Sequence, residues 1–153
     1  MNLKRVCLVS CVKTKRTSVA QAKALYTSTW FKKAREYAER EADAWYILSA
    51  KHGLLRPEDA IAPYEQTLKR MSAVEKRRWV DDVLTSLRAV LERGDHAILL
   101  AGTAYRGELE LKLVDLGVTI EVPLKGLTSG RQLQWLKQRA EKGVRISNAS
   151  IRS

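Results

Sequence analysis

The stretch from Ile47 to Leu68, ILSAKHGLLRPEDAIAPYEQTL, gathers unlike chemistry in a short length. It holds an imidazole (His52) beside an ammonium (Lys51), a turn with two carboxylates (Glu58, Asp59), and a tyrosine (Tyr64) between a proline and Glu65. Packing accounts for Ile47, Leu48 and one of Leu54 and Leu55, and for little else. A histidine can change charge near neutral pH, so His52 could donate a proton or hydrogen bond to a leaving group. Asp59 or Glu65 could order a water or steady a developing cation. The plainer alternatives are a structural histidine, an aspartate that caps its own turn, and a surface tyrosine packed on that turn. Gly53, after His52, relieves backbone strain.

Three further segments carry polar groups in the same manner. Ser10 to Ser18 supplies Ser10, Cys11, Lys13 and Lys15 without a glycine. Phosphate-cradling loops use glycines to bring backbone N–H groups close, so side chains must do that work here. Lys13 and Lys15 suit phosphate oxygens or an anionic leaving group, or else form a solvated basic loop. Neighbouring lysines could lower the Cys11 pKa, although no acid or base stands beside it in sequence. The segment AGTAYRG offers Gly102 for close backbone approach, Thr103 as a helix cap, and Tyr105 and Arg106 as groups facing a cleft. The segment from Pro123 to Gly130 carries Leu124, Lys125, Gly126, Leu127, Ser129 and Gly130, a composition suited to a phosphate at a helix N-terminus.

These segments need elements to hold them. Arg5–Ser10, a β-branched run, and Ala44–Leu48, His96–Ala101 and Val118–Val122 are short apolar segments that read as strands. Helical spacing spans Val19–Ala42, Ser72–Arg93 with a capping-box pattern at Ser-Ala-Val-Glu, Thr103–Leu116 and Arg131–Glu141. The tail after Gly143 is expected to fray or lie along the surface. Strand and helix alternate four times, which predicts an α/β fold: a three-layer α/β/α sandwich on a four-stranded, mainly parallel sheet. Right-handed crossovers then bring all four polar segments to one rim, where open α/β sheets bind ligands. His52, Ser49, Lys51, Lys13, Arg106 and Lys125 are expected together there.

The 153 residues suit one domain with a single core. Hydrophobic residues make up 45% and charged residues 29%, a globular balance. No apolar run approaches the roughly 20 residues of a membrane span, and the N-terminal residues do not read as a signal peptide. A cytoplasmic monomer is expected. Cys7 and Cys11 would lie about 13 Å apart along a strand, too far for a disulfide. Two Cys and two His are too few for a confident zinc site. The charge is the informative number: 28 Lys and Arg against 17 Asp and Glu, net +11. The excess recurs along the chain, at Lys13, Lys15 and Arg16, at Lys32, Lys33 and Arg35, at Lys69 and Arg70, at Lys76, Arg77 and Arg78, and at Lys137, Arg139, Lys142 and Arg145. That distribution points to a polyanion, above all nucleic acid.

The segments SCVKTK, LYTSTWFKKAREYAE, WYILSAKHGLL, PYEQTL and AGTAYR together resemble a family of small, mostly uncharacterised bacterial and phage proteins. More remotely, the layout resembles the uracil-DNA glycosylase superfamily, three-layer sandwiches on a four-stranded parallel sheet. ILLAGTAYRG is similar to that superfamily's third strand and turn, and VPLKGLTSG stands where its DNA-wedging loop would be. The resemblance implies Leu124 or Leu127 as the wedge. SCVKTK lacks the superfamily's water-activating Asp or Asn and its stacking aromatic; the fourth-loop histidine and the iron–sulfur cysteines are absent too.

The resemblance implies cleavage of the N-glycosidic bond of a modified base in DNA, with a 5-substituted uracil such as 5-hydroxymethyluracil favoured. The base must be flipped into a pocket. Cations or donors must stabilise the departing base anion, which His52, Lys51 and Lys13 could do. A carboxylate, Asp59 or Glu65, must steady the sugar cation or direct water. Neither metal nor redox cofactor is called for. Two alternatives stay open: a non-catalytic nucleic-acid-binding module, and a nucleoside or nucleotide N-glycosidase or transferase.

Overall fold

A computed structural model describes residues 3–13 and 15–152, those from 141 onward by backbone alone. Thr14 and the side chains of Lys142 and Arg145 therefore lie outside the described residues. In chain order the elements are β1 (Arg5–Ser10), β2 (Ala20–Gln21), α1 (Ala22–Leu25), α2 (Thr29–Glu41), β3 (Ala44–Ser49), β4 (Gly53–Leu55), β5 (Ala60–Ile61), a single 3-10 turn (Leu68–Arg70), α3 (Ala73–Leu87), β6 (His96–Leu100), α4 (Thr103–Asp115), β7 (Thr119–Glu121) and α5 (Ser129–Arg152).

Five strands form one sheet in the order β4-β3-β1-β6-β7. The expected strands β3, β1, β6 and β7 are mutually parallel, and β4 is a fifth, antiparallel edge strand beside β3. β1 lies at the centre, with Val9 opposite Ile47 on one side and Leu100 on the other. A strand covered on both faces must be apolar throughout, and Val6 to Val9 are all buried. α2 packs against β1, β3 and α5; α3 packs against β4 and α4, and α4 against β7. The chain leaves β1 toward β3 on one side and later builds outward from β6 to β7 on the other. The direction of winding reverses between β1 and β6, and in open α/β sheets that reversal opens a crevice at the carboxyl ends.

Several expected boundaries differ. The single helix over Val19–Ala42 is instead β2, α1 and α2, broken at Tyr26. Tyr26 is 1% exposed, its hydroxyl drawn inward to that of Tyr64, and the chain must turn to bury it. The Ser28 hydroxyl then accepts the Phe31 N–H and starts α2 anew. α3 begins with the expected capping box: the Ser72 hydroxyl accepts the Glu75 N–H while Glu75 accepts the Ser72 N–H. It ends at Leu87, short of Arg93. Thr103 is not a cap; Gly102 holds the cap position and α4 begins at Thr103. α5 starts at Ser129 and continues past Gly143 to Arg152, so the tail is helical.

The stretch from Ser49 to Leu68 is more ordered than a rim loop. Ala50 to His52 form the turn of a β3–β4 hairpin, closed by Gly53 at φ +71°. Leu55 is buried in β4, and Leu54 packs against the core. β5 pairs antiparallel with β2, Ala20 opposite Ile61. The Ala22 N–H donates to the Asp59 carbonyl at 2.7 Å and the Lys23 N–H to that of Pro57 at 2.9 Å. This stretch is thereby bound to the segment that follows β1.

Candidate functional site

A chain of buried polar groups runs beneath the rim. Ser49 ends β3 fully buried. Its hydroxyl meets the Tyr64 hydroxyl at 2.7 Å and accepts the His52 N–H at 3.1 Å, while its carbonyl accepts the Trp79 indole N–H at 2.8 Å. The Tyr64 hydroxyl also meets that of Tyr26 at 2.5 Å. On the other side of β1, the Cys11 thiol and the Tyr105 hydroxyl are 3.1 Å apart, and the Tyr105 ring stands edge-on to Trp79 at 5.7 Å. Burial holds all three tyrosine hydroxyls protonated. It raises Tyr26 to about 12, against the opposing hydrogen bond from Tyr64, and raises Tyr64 and Tyr105 with Cys11 as the next cause. Satisfied networks of this kind rigidify what they support.

Above this floor opens a cavity of about 530 Å³ lined by Lys13, Lys15, Tyr64, Glu65, Thr67, Lys69 and Arg70. Four cations face one carboxylate. The Lys15 chain lies across the Tyr64 ring, its Nζ 4.5 Å from that centroid and 5.7 Å from the Tyr26 centroid. Burial pushes the Lys15 ammonium below its ordinary pKa, against the opposite pulls of Cys11 and Glu65. A second cavity of about 650 Å³ is lined by Ser10, Val12, Trp30, Lys69, Gly102, Ser129, Gly130, Gln132 and Leu133. It sits where the winding reverses, with Ser10 at the end of β1 and Gly102 just after β6. Trp30 donates its indole N–H to Gln132 at 2.9 Å, fixing the first turn of α5 against α2. Both volumes fall in the usual range for small-ligand sites. A smaller cavity of about 320 Å³, lined by α3 and α4 residues including Asp81, Arg88, Lys112 and Asp115, mixes both signs of charge and lies away from the rim groups.

The residues singled out in the sequence fall into three groups. Lys13, Lys15, Tyr64 and Glu65 share the first cavity, and Ser10, Gly102, Ser129 and Gly130 the second. Ser49, Cys11 and Tyr105 lie in the supporting network. His52 is exposed on the hairpin turn, its ring edge-on to Tyr64 at 5.5 Å. Burial first, then the Lys51 charge, lower the His52 pKa, so its imidazole is neutral at pH 7. Lys51 borders a separate hollow with Trp79 and Asp82.

The third group is engaged elsewhere. The Asp59 carboxylate accepts the Arg56 N–H at 2.8 Å and closes its own turn. Arg106 donates to the Ala101 carbonyl at 3.2 Å and to Glu110 at 2.7 Å, lying along α4. Leu124 is 5% exposed and belongs to the core, while Leu127 is partly buried against it. Lys125 and Gly126 are exposed between β7 and α5. Tyr64 is not a surface tyrosine on its turn: it is 8% exposed, with Lys15 across its ring.

Thr67, Lys69, Arg70, Trp30 and Gln132 line the cavities without having been singled out as site residues. For Lys69 and Arg70 the signal was present: a dibasic pair directly after the Ile47 to Leu68 stretch, within the 3-10 turn. Trp30 and Gln132 gave no such signal, since their pairing depends on how α2 and α5 meet. The described residues hold no group of three or more His, Cys, Asp or Glu placed to bind a metal, and both cysteines are free. No helix among them is long and apolar enough to cross a membrane.

Sheet order, winding reversal and rim cavities define an open α/β domain with a cation-lined cleft at the carboxyl edge of its strands. The chain belongs to a family of unknown function, DUF6884, whose model matches residues 6–138. It is similar to the uncharacterized protein YfjM of Bacillus subtilis (strain 168), 32% identical over 123 residues, covering 70% of this chain and 75% of that protein. No solved structure matches the chain.

Proposed function

We propose that this protein hydrolyses the N-glycosidic bond of a modified base in DNA, working as a cytoplasmic monomer with a uracil-DNA-glycosylase-like domain. A 5-substituted uracil is the favoured base. The observation that carries this reading is Glu65 as the one carboxylate lining a cavity whose other charged groups are Lys13, Lys15, Lys69 and Arg70.

The chemistry divides between the two signs of charge. As the bond to C1′ breaks, the electron pair leaves with the base and the sugar becomes cationic. Lys13 stabilises the departing base anion, and preorganised cations do this best where water is partly excluded. Glu65 steadies the sugar cation or orients the attacking water on the opposite side. Lys69 and Arg70 hold flanking phosphates, and the α5 N-terminus at Ser129 and Gly130 takes a further phosphate across the second cavity. His52, its charged form disfavoured, serves as a hydrogen-bonding group beside Tyr64 rather than as a standing cation.

The test is incubation with oligonucleotides that each bear one modified base, followed by alkali and a denaturing gel. Strand cleavage at one modified position, abolished in Glu65→Gln, is the expected result. Tight, salt-sensitive binding with no abasic product from any base would leave a binding module instead.

A further inference from the structure

Lys15 differs from the other cations of the cleft. A bridge between Lys15 and Tyr26 fixes its backbone, and its side chain is partly buried over two tyrosine rings. Its Nζ donates to the Lys13 carbonyl at 3.3 Å and forms no ion pair with a carboxylate among the described residues. Lys13, by contrast, is exposed. Such confinement fixes the position of one amine in the cleft, which an amine that attacks a carbon requires more than one that only binds phosphate.

We infer that Lys15 is an amine nucleophile toward C1′ of the deoxyribose, so that the cleft also acts as an abasic-site lyase; this rests on the N-glycosidic reading above. The Lys15 Nζ, as the free amine, forms a bond to C1′ while the bond from C1′ to the base breaks and its electron pair leaves with the base, which takes a proton from water. The nitrogen then loses a proton, the sugar ring opens with O4′ gaining one, and a protonated imine joins Nζ to C1′. Water can hydrolyse that imine, returning the amine and an abasic aldehyde. Alternatively a C2′ proton is lost to Glu65 and the 3′ phosphate departs, cutting the strand. Every step is acid–base or substitution chemistry, without an oxidant or reductant. The burial that lowers the Lys15 pKa keeps more free amine available near neutral pH than an exposed lysine has.

The test separates this step from base recognition. The whole chain is mixed with an oligonucleotide carrying one preformed abasic site, and sodium borohydride is added to reduce any imine to a stable amine. A covalent complex is expected, with the adduct on Lys15 when digested peptides are mapped by mass. Trapping should fall about tenfold or more in Lys15→Arg and Lys15→Met, and stay near the wild-type level in Lys32→Arg, at an exposed α2 position outside the cleft. It should rise with pH and level off below the range where exposed lysines deprotonate. Equal trapping by wild type and Lys15→Arg, or an adduct mapped mainly to other lysines, overturns the inference even if a variant folds poorly. Release of a modified base without trapping would leave the hydrolase and remove the lyase; trapping on Lys15 with no base released from the whole panel would do the reverse.

Discussion

In the sequence Asp59 stood first as the carboxylate to order water, with Glu65 as its alternative, the two flanking one proline–tyrosine pair. The structure separates them by what each touches. Asp59 is committed to its turn through the Arg56 N–H, and Glu65 lines the basic cavity. Asp59→Ala should therefore lower the melting temperature modestly, by about 0.5–1.5 kcal/mol of stability, and leave base release by the folded protein nearly unchanged. Glu65→Gln should leave melting unchanged and slow base release by about a hundredfold or more. Melting curves and single-turnover assays on the same two preparations check both, and the opposite assignment would move the chemistry to Asp59. The stretch from Ile47 to Leu68 stands out in the sequence because packing is expected to use only Ile47, Leu48 and one leucine of it; in the structure Ser49, Ala50, Leu55, Ile61, Tyr64 and Leu68 are buried as well. The role of each carboxylate was not legible, since a carboxylate that caps a turn and one that lines a cleft look alike until the backbone between them is placed.

At the scale of elements, the parallel strands were legible because burial on both faces demands continuous apolar runs, and such runs are visible without any partner. β4 and β5 were not: each is two or three residues long, and what makes them strands is the hydrogen bonding of β3 and β2. The break at Tyr26 was hidden for a related reason, its partner Tyr64 lying 38 residues away. One clasp at the opposite edge of the sheet sets a pH limit on the fold. The buried Asp95 carboxylate accepts the Lys4 N–H at 2.9 Å and the Glu92 N–H at 2.8 Å, tying the residues before β1 to those before β6. Those two N–H groups hold its pKa below the ordinary carboxylate value. A carboxylate depressed in the folded state contributes stability above its unfolded pKa, near about 4, and loses it as pH falls through the lower folded value. Asp95→Ala should cost about 1–3 kcal/mol at neutral pH, the usual penalty for stranding buried donors. The gap between wild type and variant in urea titrations should narrow only below about pH 4. A gap that is constant down to pH 2 would mean that the ionised carboxylate is not what holds the clasp.

Across the whole molecule the +11 charge is unevenly opposed. On α2 three of the four cations are matched, Lys33 with Glu36, Arg35 with Glu39 and Arg40 with Glu41, leaving Lys32; on α4, Arg106 pairs with Glu110. At the cleft, Lys13, Lys15, Lys69 and Arg70 face Glu65 alone, and Lys76, Arg77 and Arg78 remain exposed on the neighbouring α3. Surface pairs of the first kind contribute little to stability, but they do cancel the field over the helices. The cleft lining thus holds four cations against one carboxylate, a place where a phosphate backbone would displace condensed counterions. If about six phosphates are neutralised, affinity for a DNA duplex should fall roughly a thousandfold between about 50 and 200 mM salt. Lys69→Gln with Arg70→Gln should weaken binding at every sequence and flatten the plot of log affinity against log salt by about two units, one for each phosphate contact removed. Lys32→Gln with Lys33→Gln on α2 should change the slope little, because neither residue lines the cleft. Fluorescence anisotropy with a labelled duplex over a salt series measures all three slopes. A wild-type slope near zero would exclude a polyanion and leave a free nucleotide as the ligand of the same cleft. Equal flattening by the cleft and α2 pairs would mean that the charge acts diffusely, with no directed groove.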